Sequence, residues 1–179
     1  MNLIEKPLSQ QYLYKGKIVH LRVDEALLPN GLTAAREVIE HPGGVCVAPL
    51  TREGELLFVR QFRYPYQQVT LELPAGKLEP GEDPLEAGSR ELTEETGAAA
   101  GEYVSLGQLY PSPGYTDEII HLFLARDLSY GASHPDEDEF LEPERIPLKE
   151  AVRMVLAGEL PDAKTQIGVL KVAALEGVL

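Results

Sequence analysis

Between Gly76 and Ala98 the chain reads GKLEPGEDPLEAGSRELTEETGA: a glycine loop, then a helix marked at both ends, then glutamates at fixed spacing. Pro80-Gly81 makes a turn, Asp83 is a good N-cap, and Pro84 suits the first helical position. Glu86 completes an Asp-x-x-Glu capping pattern, and Gly97 is placed to end the helix in the left-handed conformation. The signals predict a helix from about Pro84 to Thr96. On that helix Glu91 and Glu95 stand one turn apart and Glu94 lies at the i+3 position from Glu91, so three carboxylates share one stripe. Arg90 can pair with Glu94 across one turn. Like charges at this spacing cost roughly 0.2–0.5 kcal/mol per pair, so the stripe asks for a counter-ion. Mg²⁺ takes oxygen ligands, one or two carboxylates among them, and otherwise binds waters and substrate phosphates, which suits glutamates beside a glycine loop. The plain alternative is an acidic face turned to solvent.

The spacing is specific. Gly76, five residues, Glu82, seven residues, then Arg90-Glu91-Leu92-x-Glu94-Glu95-x-Gly97 is the pattern of the Nudix hydrolases, which this chain resembles. At average residue usage a chance match in a chain of this length is roughly one in ten million. Ala98 departs softly, standing where the pattern usually has a bulkier aliphatic; the ligand positions are unaffected.

At 179 residues the chain is long enough to bury a proper core, and its composition is that of an ordinary globule. It has no run of 18 apolar residues and no basic-then-apolar start, so neither a membrane span nor a secretory signal is expected, and the cytoplasm is the default. Cys46 is the only cysteine, which excludes an internal disulfide and a cysteine-based zinc site. Its setting, GGVCVAPL, reads as a core strand rather than a nucleophile's surroundings. A formal net charge of −13 argues against a nucleic-acid backbone as partner. A small anionic substrate needs local help from metal ions and arginines. His20, His41, His121 and His134 are scattered without metal-ligand spacing.

The first third reads as strands: about Ile18–Leu28 and Leu32–Glu40 around Asn30-Gly31, a strong hairpin signal, then Val45–Leu50 after Gly43-Gly44. Strands are also expected over Glu55–Phe62, Val69–Leu73, Tyr103–Tyr110, Glu118–Ala125 and about Phe140–Ile146. Pro111 to Tyr115 reads as a rigid loop, and Asp127 to Glu139, ending in Asp136-Glu137-Asp138-Glu139, as a polar one. One helix opens at Pro147 and ends near Gly158; another follows the cap Asp162 towards Ala174. The class is α/β. The resemblance implies a Nudix-type α/β/α sandwich with a mixed sheet and an N-terminal antiparallel hairpin, divided as a hairpin region over 1–41 and a hydrolase domain over 42–179.

Hydrolysing a pyrophosphate requires charge neutralised on two phosphates, a placed water and a base for its proton. The family resemblance implies Glu91 and Glu95 as metal ligands on an exposed face, Glu94 as a ligand directly or through water, and the Ala75 carbonyl as another. Glu82 and Arg90 would orient that shell. Mg²⁺ is the implied cofactor, with Mn²⁺ possible. Arg63 matches the Gln61-x-Arg63 of the ADP-ribose pyrophosphatase branch and is expected to contact a phosphate, as a guanidinium does well; Arg60 reads as a surface charge. The branch resemblance also rests on Arg36-Glu37, Glu72-Leu73-Pro74-Ala75-Gly76, and Ser112 to Glu118, with Pro113 sixteen residues past Gly97. It implies Arg36 and Glu37 reading the adenine, and Pro113 and Glu118 at the substrate. Glu137 is implied as general base and Glu139 as a further metal contact, although Asp136 and Asp138 are close enough in register to exchange roles. A homodimer is implied, with the hairpin of one subunit reaching the other's site.

The leading expectation is thus Mg²⁺-dependent hydrolysis of ADP-ribose to AMP and ribose 5-phosphate. Another nucleoside diphosphate sugar, such as GDP-mannose, is the alternative substrate, and a non-catalytic ADP-ribose sensor the alternative role. The intact glutamate set, the acidic charge and the lack of added helix-turn-helix length count against the sensor.

Overall fold

The structure, a computed structural model, describes residues 2–135 and 139–179. Its chain divides into two compact units, Met1–Gly43 with Tyr110–Ile119, and Gly44–Leu109 with Ile120–Leu179.

The first unit is an antiparallel sheet of β1 (Lys6–Lys15), β2 (His20–Leu27) and β3 (Thr33–Glu40) in that spatial order. The Asn30-Gly31 signal does mark a hairpin, though with a longer loop than a two-residue turn. Leu28 N–H bonds the Leu32 carbonyl, Gly31 N–H returns to Leu28, and Gly31 takes the positive φ of 85° that favours glycine. Strand β1 was not expected from the sequence. All ten of its residues are exposed, so it carries no alternation to read; it pairs with β2 along the backbone, with two register shifts, and Gln10 and Tyr12 donate to the Asp24 and Glu40 carboxylates. The segment Tyr110–Ile119 adds to this unit by bonds at Ile39 and from His41 N–H to the Asp117 carboxylate.

The second unit holds two sheets. The mixed one, ordered β7-β4-β9-β8, comprises β4 (Gly44–Pro49), β7 (Ala75–Lys77), β8 (Ala98–Leu109) and β9 (Ile120–Tyr130), with β4 and β9 parallel. The other, ordered β10-β5-β6, is antiparallel: β5 (Glu55–Arg63), β6 (Gln68–Glu72) and β10 (Leu141–Pro147). Pro143 and Pro147 are tolerated because β10 is the edge. Helix α1 spans Pro84–Thr96, α2 Leu148–Leu156 and α3 Ala163–Leu175.

Strand β4 shows why the unit is layered. Every one of its residues is buried, as a strand covered on both faces must be. Cys46 and Ala48 join the core built with Val169, Val172 and Ala173 of α3 and Ala151 and Val155 of α2. Val47, pointing the other way, packs with Leu92 of α1, Ala98 and Ala125. The mixed sheet therefore lies between α1 and α3, an α/β/α arrangement as expected.

Two expected boundaries are corrected. Strand β8 begins at Ala98 rather than near Tyr103, and β9 continues to Tyr130, into the stretch expected to be loop. The extension pairs Ala98–Ala100 with Leu128–Tyr130, so main-chain bonds across the sheet outweigh local polarity.

Candidate active site

The site is assembled where β6, β7 and the second half of α1 meet. Asp83 caps α1 by accepting from Leu85 N–H at 2.8 Å and Glu86 N–H at 3.3 Å, and Gly97 closes it with φ 70°. These ends fix the limits of the helix; packing of Ala87, Gly88 and Leu92 sets its rotation, and the rotation decides which glutamates turn inward. Glu91 and Glu95 are 8 % and 2 % exposed. That corrects the expectation of an exposed acidic face: one turn of the stripe packs against β4 and β7, and Glu94 keeps the outward place.

Each inward carboxylate has a built seat. Glu95 Oε2 accepts from Ala75 N–H at 3.1 Å. Glu91 lies so close to Gly76 that a Cβ there would collide with its carboxylate. Gly76 is glycine for this approach. Around them, Arg90 donates to Glu82 through Nε at 2.9 Å and Nη2 at 3.1 Å, and through Nη1 to Glu91 and Glu94, each at 2.9 Å. The expected Arg90–Glu94 pair is present, and the same guanidinium joins Glu82 to the helix.

The electrostatics are lopsided. Burial pushes the Glu95 carboxyl up to about 8, with the charge of Glu91 and of Glu139 adding to the shift against the opposing Ala75 N–H bond. Burial likewise raises Glu91, against the pull of Arg90. Hydrogen bonding to Arg90 holds Glu82 below the usual carboxylate range. A buried pair of carboxylates that resists ionising together is a donor set suited to a hard divalent cation, whose charge would reverse that resistance. Among the described residues no three His, Cys, Asp or Glu side chains form a ready-made cage, and Arg90 stands as the cation bonded to Glu91 and Glu94.

Arg63, at the end of β5, makes a bidentate pair with Glu72 of β6, both bonds at 2.7 Å. Its charge also acts on Glu95. Glu139 is described and acts on both Glu91 and Glu95; Glu137, with Asp136 and Asp138, lies outside the described residues. Arg36, Glu37, Pro113 and Glu118 belong to the first unit. There Arg36 is held bidentately by Glu5 at 2.7 and 2.9 Å, Glu37 and Pro113 are exposed, and Glu118 lies 3.6 Å from His41 Nδ1. Cys46 is buried and its thiol pushed up by that burial, in keeping with a core role.

The chain matches the model of the NUDIX domain over residues 40–166, more than half its length. The chain belongs to the NUDIX family. Residues 5–39 match a second model, the nucleoside diphosphate sugar hydrolase N-terminal domain. An ADP-ribose pyrophosphatase of Bacillus subtilis (strain 168) is 43 % identical over 166 residues, covering 92 % of this chain and 90 % of that one. A methanol dehydrogenase activator of Bacillus methanolicus is 42 % identical over 167 residues, with the same coverage. A solved structure, the crystal structure of an ADP compounds hydrolase, superposes with a TM-score of 0.86 at 23 % identity over 99 % of this chain and 98 % of that one, and so shares the fold.

Sequence reasoning passed over one component of this NUDIX site. Lys164 is largely buried and contacts both Glu72 and Asp162, the latter at 3.0 Å. The signal was in Asp162-Ala163-Lys164: a lysine in the first turn of α3 opposes the helix dipole, so it needs carboxylates nearby.

Proposed function

We propose that this protein is a divalent-cation-dependent pyrophosphohydrolase that splits ADP-ribose into AMP and ribose 5-phosphate. The observation that carries the reading is the buried pair Glu91 and Glu95, seated against Gly76 and Ala75, in a chain of the NUDIX family. The 43 % identical relative named an ADP-ribose pyrophosphatase, and the match to a nucleoside diphosphate sugar hydrolase N-terminal domain, favour this substrate class.

Glu91, Glu95, Glu94 and the Ala75 carbonyl would hold Mg²⁺ or Mn²⁺, with Glu139 a further contact. When bound, the cation offsets phosphate charge and makes water more acidic. Arg90, pinned by Glu82, keeps Glu91 and Glu94 turned to one side of the helix. Arg63 presents its guanidinium to a phosphate oxygen. Water attacks phosphorus, its proton passes to Glu137, and the bridging P–O bond breaks to release the two monophosphates. Arg36 and Glu37 read the adenine, and Pro113 and Glu118 line the substrate. The working form is a homodimer; the apolar surface that β1 exposes, Leu8, Leu13 and Tyr14 among it, supports that assignment. The hairpin region over 1–41 would serve that contact and the hydrolase domain over 42–179 the chemistry. The cytoplasm is the proposed compartment, in keeping with one buried free cysteine. Among the described residues no helix is long and apolar enough to cross a membrane.

Product release from ADP-ribose, GDP-mannose, UDP-glucose, NADH and diadenosine polyphosphates, with Mg²⁺ and with EDTA, tests the reading. The expected outcome is metal-dependent AMP from ADP-ribose at the highest kcat/KM. A higher value for GDP-mannose would move the substrate, and binding of ADP-ribose without hydrolysis of any compound would sink the enzymatic reading.

A further inference from the structure

Behind Arg63 lies a chain of polar contacts too organised to be a chance ion pair. Glu72 is 2 % exposed, yet its carboxyl is held down to about 2, because Arg63 and Lys164 together outweigh a large burial penalty. Its Oε1 accepts from Arg63 Nε at 2.7 Å and from the Thr70 hydroxyl at 2.6 Å, and its Oε2 accepts from Arg63 Nη2 and from Lys164 Nζ. Lys164 is itself held by Asp162, whose other oxygen caps α3 at Thr165 N–H. The Thr165 hydroxyl accepts from Leu73 N–H at 2.9 Å, which ties the residue after Glu72 to the same helix start. Every acceptor position of Glu72 is thereby engaged by groups on three elements, and its carboxylate plane has little freedom.

The same short segment seats the carboxylates of α1. Ala75, three residues on, donates to Glu95, and Gly76 makes room for Glu91. The bidentate fork takes Nε and Nη2 of Arg63, so Nη1 is the edge outside it. We infer that Glu72, clamped by Lys164 and Thr70, is a positioning residue that aims the Arg63 guanidinium at the phosphate end of the site. One segment, Glu72 to Gly76, thus sets the geometry of the arginine and of the helical glutamates together. The inference rests on the reading of Arg63 as a phosphate contact.

A double-mutant cycle tests both separately, with KM and kcat for ADP-ribose measured for Arg63→Ala, Glu72→Gln and the double variant, and Tm measured alongside. Arg63→Ala should raise KM roughly ten- to hundredfold with a smaller effect on kcat, as loss of a charged hydrogen bond to bound substrate does. Glu72→Gln should raise KM by most of that factor, and the double variant should be no worse than Arg63→Ala alone. Normal KM in Arg63→Ala overturns the phosphate contact itself. A defect in Arg63→Ala with normal KM in folded Glu72→Gln, or with multiplicative effects in the double variant, overturns the positioning role and leaves a structural ion pair. Should Glu72→Gln fail to fold, Thr70→Val decides: a rise in KM of a fewfold at near-parent Tm supports the inference, and an unchanged KM refutes it.

Discussion

Glu95 is an acid whose charge is costly where it sits, and that cost has a measurable sign. Its folded value of about 8 lies above the ordinary 4.5. Between those values the folded protein binds more protons than the unfolded chain, so without metal its stability falls as pH rises from about 4.5 to 8. Glu95→Gln, which cannot ionise and can still accept from Ala75 N–H, removes that slope. In EDTA its Tm should therefore match or exceed the parent's at pH 8, with the gap closing towards pH 5. Mg²⁺ should raise the parent's Tm at pH 8 and leave the variant's nearly unmoved, while turnover of the variant falls by roughly two orders of magnitude or more. Full activity in the variant with Mg²⁺, or an equal metal response in both proteins, would remove Glu95 from the ligand set.

Helix α1 is the element whose local signals were complete: cap, first-turn proline and terminal glycine all lay in the sequence, and the helix has the expected limits, Pro84–Thr96. Asp83 is exposed, and its contact with α1 is the pair of backbone N–H groups it accepts from. Asp83→Ala should cost about 1 kcal/mol, a fall in Tm of about 2–4 °C, with kcat unchanged well below the melt. A large loss of activity at low temperature would mean that the cap positions Glu91 and Glu95 beyond merely holding the helix. Strands β1 and β7 were illegible by contrast. β1 buries nothing, and β7 is three residues long, pairing with β4 through Gly76 and its neighbours, so neither writes a periodicity into the chain.

For the molecule as a whole, the homodimer proposal turns on the exposed apolar side chains of β1. Sedimentation should find a dimer at micromolar concentration, and Leu13→Asp, a charge placed on a side chain 57 % exposed, should shift it to monomer without lowering the Tm of the isolated subunit. A parent protein that sediments as a monomer would end the homodimer proposal. The sequence by itself determined the helix that carries the carboxylates, their spacing along it and the β2–β3 hairpin, because capping, turn and side-chain spacing act over a few residues and are written locally. The burial of Glu91 and Glu95, and the engagement of Glu72 by Lys164 from 92 residues away, were decided by tertiary structure alone. A carboxylate's depth and its distant counter-ion depend on which surfaces the sheets bring together, and no local pattern encodes that.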